Sequence, residues 1–324
     1  MHFLIDLLWL LGGLVALYFG AEWLVGGSAK LAVRFGITPL VVGLTVVAFG
    51  TSAPELFVSF RCNLDNLPDM AVGNVVGSNI CNIGLILGVS ALFYGLAVKS
   101  ELLRRDIPVL LGATAFFLFT IYDKTIARWE GAVLATGIVA YTVLCLRLSK
   151  READPEVLGE FEAEFNPDEA RTENPLKLAG LILAGLVLLA VGAEALKRGG
   201  ISIATALGVP EAVISLTLIA FATSVPELAT SIIAAAKKEG DIIIGNVIGS
   251  CVFNLLCVIG FTALGKPVIV SQIDRVDLAV MLGFTVILIP MMFRGRVIDR
   301  KEGILLLAGY TAYVAWLYLS RAAA

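Results

Sequence analysis

A short motif that contains a proline and a glutamate occurs twice in this chain, 172 residues apart. Residues 48–55 read AFGTSAPE, and residues 220–227 read AFATSVPE. A second motif follows at the same offset, since residues 73–78 read GNVVGS and residues 245–250 read GNVIGS. A constant offset between two pairs of motifs predicts that the chain is a duplicated structural unit.

Both copies lie within long apolar stretches. Hydrophobic residues make up 58% of the 324 residues and charged residues only 16%, whereas a soluble domain is roughly half apolar and about a quarter charged. Because a helix needs about 20 apolar residues to cross a bilayer, this composition predicts an integral membrane protein. We predict ten spans, at about 3–25, 37–59, 70–94, 107–122, 129–147, 176–197, 209–236, 241–264, 277–293 and 302–320.

The two halves are predicted to insert in opposite directions. Residues 1–147 and 176–324 form two five-span repeats, joined by an acidic cytoplasmic linker at 148–175. Because five is an odd number, the second repeat must cross the membrane with inverted topology, as in many transporters. The predicted fold is therefore an all-α membrane protein of ten transmembrane helices in two inverted five-helix repeats.

Basic residues predict the orientation of the chain. If both termini lie outside, the cytoplasmic loops contain more Lys and Arg than the outer loops, in line with the positive-inside rule. The first apolar run is long and lacks a basic start, which favours a true first span over a cleaved signal peptide. With its short linker, the chain is expected to be a multi-pass protein of a prokaryotic plasma membrane, with both termini outside.

The first motif combines a helix break with oxygen ligands. Pro54 has no N–H and crowds the carbonyl four residues earlier, so a carbonyl near Gly50 loses its helical partner and needs another one in lipid. Glu55 shares a helix face with Thr51 and Ser52. An ionisable side chain at membrane depth is costly and is usually functional. The motif therefore favours a bound cation.

If the inverted halves meet, the oxygen atoms of both motifs converge near the middle of the membrane. Carboxylates, hydroxyls, amide oxygens and backbone carbonyls, without histidine or thiolate, suit hard cations such as Ca²⁺ and Na⁺. Two glutamates would neutralise one Ca²⁺. The predicted cation-binding residues are Glu55, Glu227, Thr51, Thr223, Ser52, Ser224, Ser78, Ser250, Asn82, Asn254 and Ala48.

Structural interpretations of the same residues stay open. The Ser-x-x-Glu spacing of Ser52 and Glu55, repeated by Ser224 and Glu227, also fits a capping box, in which the serine caps a helix start and the glutamate reaches back. The G-x-x-x-G spacing of the second motif fits close packing between helices. The aspartates that precede spans three and eight fit helix N-caps.

On these motifs the chain resembles the sodium/calcium exchanger branch of the cation/Ca²⁺ exchanger superfamily. The two alpha-repeats of that family have the patterns G-T-S-x-P-E and G-N-x-x-G-S, followed by asparagine, and this chain departs from them once, at Ala222. The resemblance implies ten helices in two inverted repeats around central sites where Ca²⁺ and Na⁺ compete. It also implies that the first helix of each repeat slides across the core to alternate access.

The resemblance further implies roles for individual residues. It makes Glu55 and Glu227 the central acidic ligands, and it makes Thr51 and Thr223 backbone ligands of Ca²⁺. The other implied positions are Na⁺ ligands at Ser52, Ser78, Ser224, Ser250 and the carbonyls of Ala48 and Ala220, with Asn82 and Asn254 as a polar pair. Some relatives, including potassium-dependent ones, have aspartate in place of Asn254, so the amide argues against K⁺ co-transport.

The predicted function is secondary active antiport of Na⁺ and Ca²⁺ by alternating access. Proton-coupled relatives usually have G-N-x-x-E where this chain has T-S-x-P-E, which favours Na⁺ as the counter-ion. A buried glutamate pair can also bind protons, so an H⁺/Ca²⁺ antiporter is the alternative.

An intramembrane enzyme is a remote alternative, because the H-E-x-x-H and G-x-S-x-G motifs are absent. A structural membrane protein would leave the doubled glutamates unexplained. We expect no enzymatic activity, no cofactor besides the transported ions and no nucleic-acid partner.

Overall fold

The computed structural model describes residues 2–93, 95–152, 173–206, 220–271 and 274–322, and most of them are helical. The helices are α1 His2–Phe35, α2a Pro39–Thr51, α2b Ala53–Leu64, α3 Pro68–Phe93, α4 Ile107–Thr120, α5 Arg128–Glu152, α6 Pro175–Ala206, α7a Ala220–Thr223, α7b Val225–Ala236, α8 Gly240–Gly265, α9 Arg275–Phe293 and α10 Arg300–Ala322. Four two-residue strands are β1 Leu96–Ala97, β2 Thr125–Ile126, β3 Val268–Ile269 and β4 Val297–Ile298. Most of the predicted linker and the start of the predicted seventh span lie outside the described residues.

Most of the long helices have the length and composition of membrane spans. Seven of those in the described ranges are long and apolar enough to cross a bilayer, or eight if the bent pair α2a and α2b forms one span. Large apolar side chains such as Leu14 on α1, Leu183 on α6 and Leu305 on α10 are exposed, as expected where helices face lipid. The protein is an all-α integral membrane protein, as predicted.

Helices α3 and α8 form the centre of the molecule. The apolar window of α8 is entirely buried, and 78% of the corresponding window of α3 is buried, compared with 11% for α10. Both central helices contain a π-helical turn at the same place, which is Asn82–Leu87 in α3 and Asn254–Val258 in α8. Such turns widen a helix and are frequent at functional sites. Each begins at the asparagine that follows the second motif.

Two small antiparallel sheets join one half of the chain to the other. Strand β1 pairs with β4, where Leu96 lies opposite Ile298, and β2 pairs with β3, where Ile126 lies opposite Val268. The offset of 172 residues relates β1 to β3 and β2 to β4. The two sheets are therefore equivalent, and the offset found in the sequence also holds for local structure.

Helices α1 and α6 contact each other through glycines that recur every seven residues. A Cβ atom added at Gly13 would lie 2.9 Å from the carbonyl oxygen of Gly192, and one added at Gly20 would lie 2.9 Å from that of Gly185. Because only hydrogen fits at these distances, the two helix backbones pack directly together. The order of the contacts shows that α1 and α6 run antiparallel.

The aspartates expected as N-caps have a different role. Helix α3 has Leu67 at its N-cap, and Asp69 in its first turn accepts hydrogen bonds from Ser271 N at 3.0 Å and Oγ at 2.8 Å. Asp241, in the first turn of α8, forms an ion pair of 2.5 Å with Lys99. The N-cap prediction was wrong, because each carboxylate reaches across to the other half of the chain.

Candidate cation site

Helices α2 and α7 are each interrupted at the serine of the first motif. Ser52 has φ −85° and ψ 3°, and Ser224 has φ −90° and ψ 3°, so neither continues a regular helix. Helices α2a and α2b are bent by 43° at this break. Pro54 and Pro226 lie in the first turn of the following helix, where a missing N–H costs no hydrogen bond. The predicted helix break is therefore present in both copies.

The hydroxyl groups at the two breaks point away from the local helix. Ser52 and Ser224 occupy N-cap positions, but neither makes a side-chain capping bond. Ser52 Oγ donates instead to Glu227 Oε1 at 3.1 Å, and Ser224 Oγ donates to Ser78 Oγ at 3.3 Å. These contacts contradict the capping-box interpretation. Both breaks direct a hydroxyl to a residue of the opposite half.

Glu55 and Glu227 lie in the first turns of α2b and α7b, and both are completely buried. Ser78, on α3, donates a long hydrogen bond of 3.5 Å to Glu55 Oε1. Burial disfavours the ionised form of both carboxyl groups. The arrangement thus concentrates negative charge in a site that water does not reach, which is favourable only with a compensating cation or proton.

Six buried polar atoms in the two motifs and in the asparagines that follow them have no hydrogen-bond partner among the described residues. They are Glu55 Oε2, Glu227 Oε2, Ser250 Oγ, Asn254 Oδ1, and Asn82 Oδ1 and Nδ2. A buried polar atom without a partner costs about 1–3 kcal/mol, so a group of them requires an explanation. Five of the six atoms are oxygens, the ligands that Ca²⁺ and Na⁺ prefer. These residues could hold a hard cation.

The remaining predicted residues lie in the helix segments that precede the two breaks. Thr51 and Thr223 are the last residues of α2a and α7a, and Ala48 and Ala220 lie three residues before them. The carbonyl of Ala48 accepts hydrogen bonds from Ser52 N at 3.0 Å and from Thr51 Oγ1 at 3.4 Å.

The structure joins only some predicted site residues by direct contacts. Hydrogen bonds within the described residues connect Ser52 to Glu227, Ser78 to Glu55 and Ser224 to Ser78. Asn254 Nδ2 donates to Asn79 Oδ1 on α3 at 3.1 Å. Helix α7b packs against the π turn of α3, which begins at Asn82, and α2b packs against the π turn of α8, which begins at Asn254. Each glutamate-bearing helix therefore faces a π turn from the opposite half.

Sequence reasoning missed two asparagines that contact the threonines of the first motif. Asn246 accepts a hydrogen bond from Thr51 Oγ1 at 3.1 Å, and Asn74 accepts one from Thr223 Oγ1 at 3.2 Å. Each asparagine directly follows the first glycine of the second motif. The signal was thus present in the repeated sequence, but the partner of each asparagine lies in the other half.

The two copies of the second motif have different surroundings. Gly73 is exposed and Asn74 is partly exposed, whereas Gly245 and Asn246 are buried. A Cβ atom at Gly245 would lie 2.6 Å from the carbonyl oxygen of Leu40, so α8 packs against α2a without space for a side chain. Close helix packing by this motif is confirmed for its second copy.

Comparisons with known proteins agree with this geometry. The family described as "Sodium/calcium exchanger protein" matches residues 5–147 and 177–319, which is most of the chain. The chain belongs to the sodium/calcium exchanger family. The resemblance noted on the two motifs therefore holds for both halves.

Relatives in this family match the chain over nearly its full length. The "Inner membrane protein YrbG" of Escherichia coli is 34% identical over 317 residues, which cover 95% of this chain and 95% of that protein. The "Sodium/calcium exchanger MaX1" of Methanosarcina acetivorans is 29% identical over 345 residues, which cover 97% and 99%. A solved structure of the sodium-calcium exchanger NCX_Mj, soaked with Na⁺ and Sr²⁺, superposes with a TM-score of 0.83 at 30% identity and covers 96% of this chain and 98% of that one. Two of these three proteins are named as sodium/calcium exchangers, and exchangers are transporters rather than enzymes.

Proposed function

We propose that this protein is a secondary active antiporter that exchanges Na⁺ for Ca²⁺ by alternating access. The observation that carries the proposal is the pair of completely buried glutamates, Glu55 and Glu227, each with a carboxylate oxygen that has no partner in the described part of the chain. Two carboxylates balance the charge of one Ca²⁺. Several Na⁺ ions could replace it, because the same oxygens suit both cations.

The proposed ligands are the oxygens of both motifs, as expected from the sequence. Glu55 and Glu227 supply the negative charge, and the serine hydroxyls that already contact the carboxylates supply neutral oxygens for Na⁺. The complete proposed set is Glu55, Glu227, Thr51, Thr223, Ser52, Ser224, Ser78, Ser250, Asn82, Asn254, Ala48 and Ala220. Neutralising the glutamates should therefore remove transport of both cations.

The proposed architecture is ten transmembrane helices in two inverted five-helix repeats. The equivalent sheets β1–β4 and β2–β3 support it, because each pairs one half with the other at positions related by the same offset. Matching helix starts support it further, since Glu130 accepts a hydrogen bond from Ala127 N and Glu302 accepts one from Asp299 N. An inverted pair of repeats can exchange conformations and thereby open the site to alternate sides.

Alternating access requires that the two halves differ in any one state. The equivalent serines satisfy this requirement, since Ser52 contacts Glu227 whereas Ser224 contacts Ser78. The direct backbone contact between α1 and α6 supports movement of these two helices as one unit across the core.

We also propose that both termini lie outside the plasma membrane. Several basic residues lie near the end of α1 that would then face the cytoplasm, and they form ion pairs there. Lys30 pairs with Glu173 at 3.0 Å, and Lys237 pairs with Glu22 at 2.7 Å. Basic residues at this end agree with the positive-inside rule.

The test is ⁴⁵Ca²⁺ uptake into Na⁺-loaded proteoliposomes of the purified protein, with external Na⁺ replaced by an inert cation. Uptake that collapses when Na⁺ is equal on both sides would support Na⁺/Ca²⁺ exchange. Uptake that ignores Na⁺ and follows a pH gradient would instead make the protein an H⁺/Ca²⁺ antiporter. If the folded wild-type protein shows no Ca²⁺ flux, the proposal is wrong.

A further inference from the structure

Asn246 connects the two halves of the chain next to the candidate site. Its Oδ1 accepts a hydrogen bond from Thr51 Oγ1 at 3.1 Å. Its Nδ2 donates to the backbone carbonyl of Glu227 at 3.5 Å and to Ser231 Oγ at 3.3 Å. One planar amide therefore holds the helix break of the first half against the glutamate-bearing turn of the second half. Asn246 is completely buried.

Asn74 makes the same set of contacts with the halves exchanged. Its Oδ1 accepts from Thr223 Oγ1 at 3.2 Å, and its Nδ2 donates to the backbone carbonyl of Glu55 at 3.4 Å and to Ser59 Oγ at 3.0 Å. Every partner of Asn74 lies 172 residues from the equivalent partner of Asn246. The same arrangement therefore occurs twice in the molecule, once for each copy of the second motif.

We propose that Asn74 and Asn246 are positioning residues for cation binding, each of which fixes a glutamate of its own half relative to the helix break of the other half. The inference rests on the proposed function, since the cation is the ligand whose oxygens are being positioned. Ca²⁺ needs its ligands at about 2.3–2.6 Å, so a small separation of the two halves weakens binding. Neither asparagine needs to contact the cation, because each acts through the threonine and the glutamate backbone.

A double-mutant cycle on Ca²⁺ binding tests this inference. The readout is the Ca²⁺ dissociation constant of the purified full-length protein in detergent, measured by calorimetry, with thermal unfolding as the check on folding. Asn246→Ala and Thr51→Val should each raise the dissociation constant about tenfold, equivalent to ~1.4 kcal/mol. Because both changes remove the same hydrogen bond, the double variant should have the same Ca²⁺ dissociation constant as the single variant that binds less tightly. Thr51→Ser keeps the hydroxyl and should bind Ca²⁺ more tightly than Thr51→Val, so that the comparison measures the effect of the hydrogen bond to Asn246.

The repeat and a distant asparagine supply matched controls. When Asn246→Ala is combined with Thr223→Val, the two increases in the Ca²⁺ dissociation constant should multiply, because these residues belong to different hydrogen bonds. Asn63→Ala removes an amide that donates to the carbonyl of Lys266 at 2.7 Å, and it should leave Ca²⁺ affinity unchanged. If Asn246→Ala does not fold, the cycle on Asn74 and Thr223 decides by the same criteria.

Three results would overturn the inference. Unchanged Ca²⁺ affinity in folded Asn246→Ala would show that the amide positions nothing. If the increases in the Ca²⁺ dissociation constant caused by Asn246→Ala and by Thr51→Val multiply in the double variant, the two side chains act separately. Both results would leave the proposed function intact, whereas a wild-type protein that binds no Ca²⁺ would overturn the proposed function and this inference together.

Discussion

The hydroxyl of Ser52 donates a hydrogen bond of 3.1 Å to Oε1 of Glu227, which lies 175 residues later in the chain. Both side chains are completely buried. The equivalent serine, Ser224, contacts Ser78 instead of Glu55, and Ser78 in turn contacts Glu55 at 3.5 Å. The two carboxylates are therefore held differently, although the motifs that contain them are nearly identical.

Ser52→Ala should weaken the Na⁺ dependence of transport more than Ca²⁺ binding. A hydroxyl is a neutral ligand that matters more for Na⁺, whereas Ca²⁺ depends mainly on the two carboxylates. We expect the half-saturating Na⁺ concentration to rise about fivefold, as for the loss of ~1 kcal/mol, in ⁴⁵Ca²⁺ flux assays at varied Na⁺. Ser90→Ala is the control, since the buried Ser90 hydroxyl donates only to Ile86 O within its own helix. Equal shifts for both ions would refute separate roles for hydroxyls and carboxylates.

Glu55→Gln and Glu227→Gln should each abolish Ca²⁺ transport in a protein that remains folded. The substitution preserves shape but leaves one carboxylate, which cannot neutralise a divalent cation. Flux into proteoliposomes measures transport, and thermal unfolding in detergent with and without Ca²⁺ measures binding, because a ligand that binds only the folded state stabilises it. We expect the Ca²⁺-induced stabilisation to disappear in both variants.

Glu302→Gln is the matched control for the two glutamate variants. Glu302 accepts a hydrogen bond from Asp299 N at 3.0 Å at the start of α10, so its role is structural. This variant should transport Ca²⁺ like the wild type. Wild-type transport by both Glu55→Gln and Glu227→Gln would refute the assignment of the site.

The features that could be predicted from the sequence are those that depend on neighbouring residues. Pro54 and Pro226 mark helix breaks because proline lacks an N–H, and both breaks are present at the adjacent serines. Burial of Glu55 and of Glu227 also follows from their apolar surroundings. Each of these signals lies within a few residues of the feature that it predicts.

The features that could not be predicted depend on how distant helices pack. The partner of Asn246 is Thr51, 195 residues away, and the partner of Asp69 is Ser271, 202 residues away. Helical periodicity tells which face a residue occupies, but it does not tell which helix covers that face. For the same reason, the identical motif serines Ser52 and Ser224 gave no indication that one contacts a glutamate and the other a serine.

The ion pair between Glu22 on α1 and Lys237 at the end of α7b should bias the protein towards the arrangement seen here. It joins a helix proposed to move to a helix of the core, at 2.7 Å. A partly exposed pair contributes about 0.2–1 kcal/mol, so Glu22→Gln should shift the balance of conformations by up to about fivefold. The half-saturating Ca²⁺ concentration, measured on each side of oriented vesicles, should rise on one side and fall on the other.

Glu194→Gln is the control for the Glu22 variant, because Glu194 is the equivalent residue of the second half. It pairs with Lys197 and Arg198 on its own helix, so its loss should not affect the balance of conformations. Equal shifts on both sides of the membrane in Glu22→Gln would contradict a conformational role for the ion pair.

Gly20→Ala should separate α1 from α6 and thereby slow transport. The added Cβ atom would lie 2.8 Å from Leu189 N and 2.9 Å from Gly185 O, and such overpacking costs about 1–3 kcal/mol. We expect a lower unfolding temperature in detergent and a reduced rate of Na⁺-driven Ca²⁺ uptake, because the two helices no longer move as one unit. Gly12→Ala is the control, since a Cβ atom at Gly12 has no described atom within 4 Å, and it should leave both quantities unchanged. A Gly20→Ala protein with wild-type stability and rate would show that the direct contact between α1 and α6 is not needed for their movement.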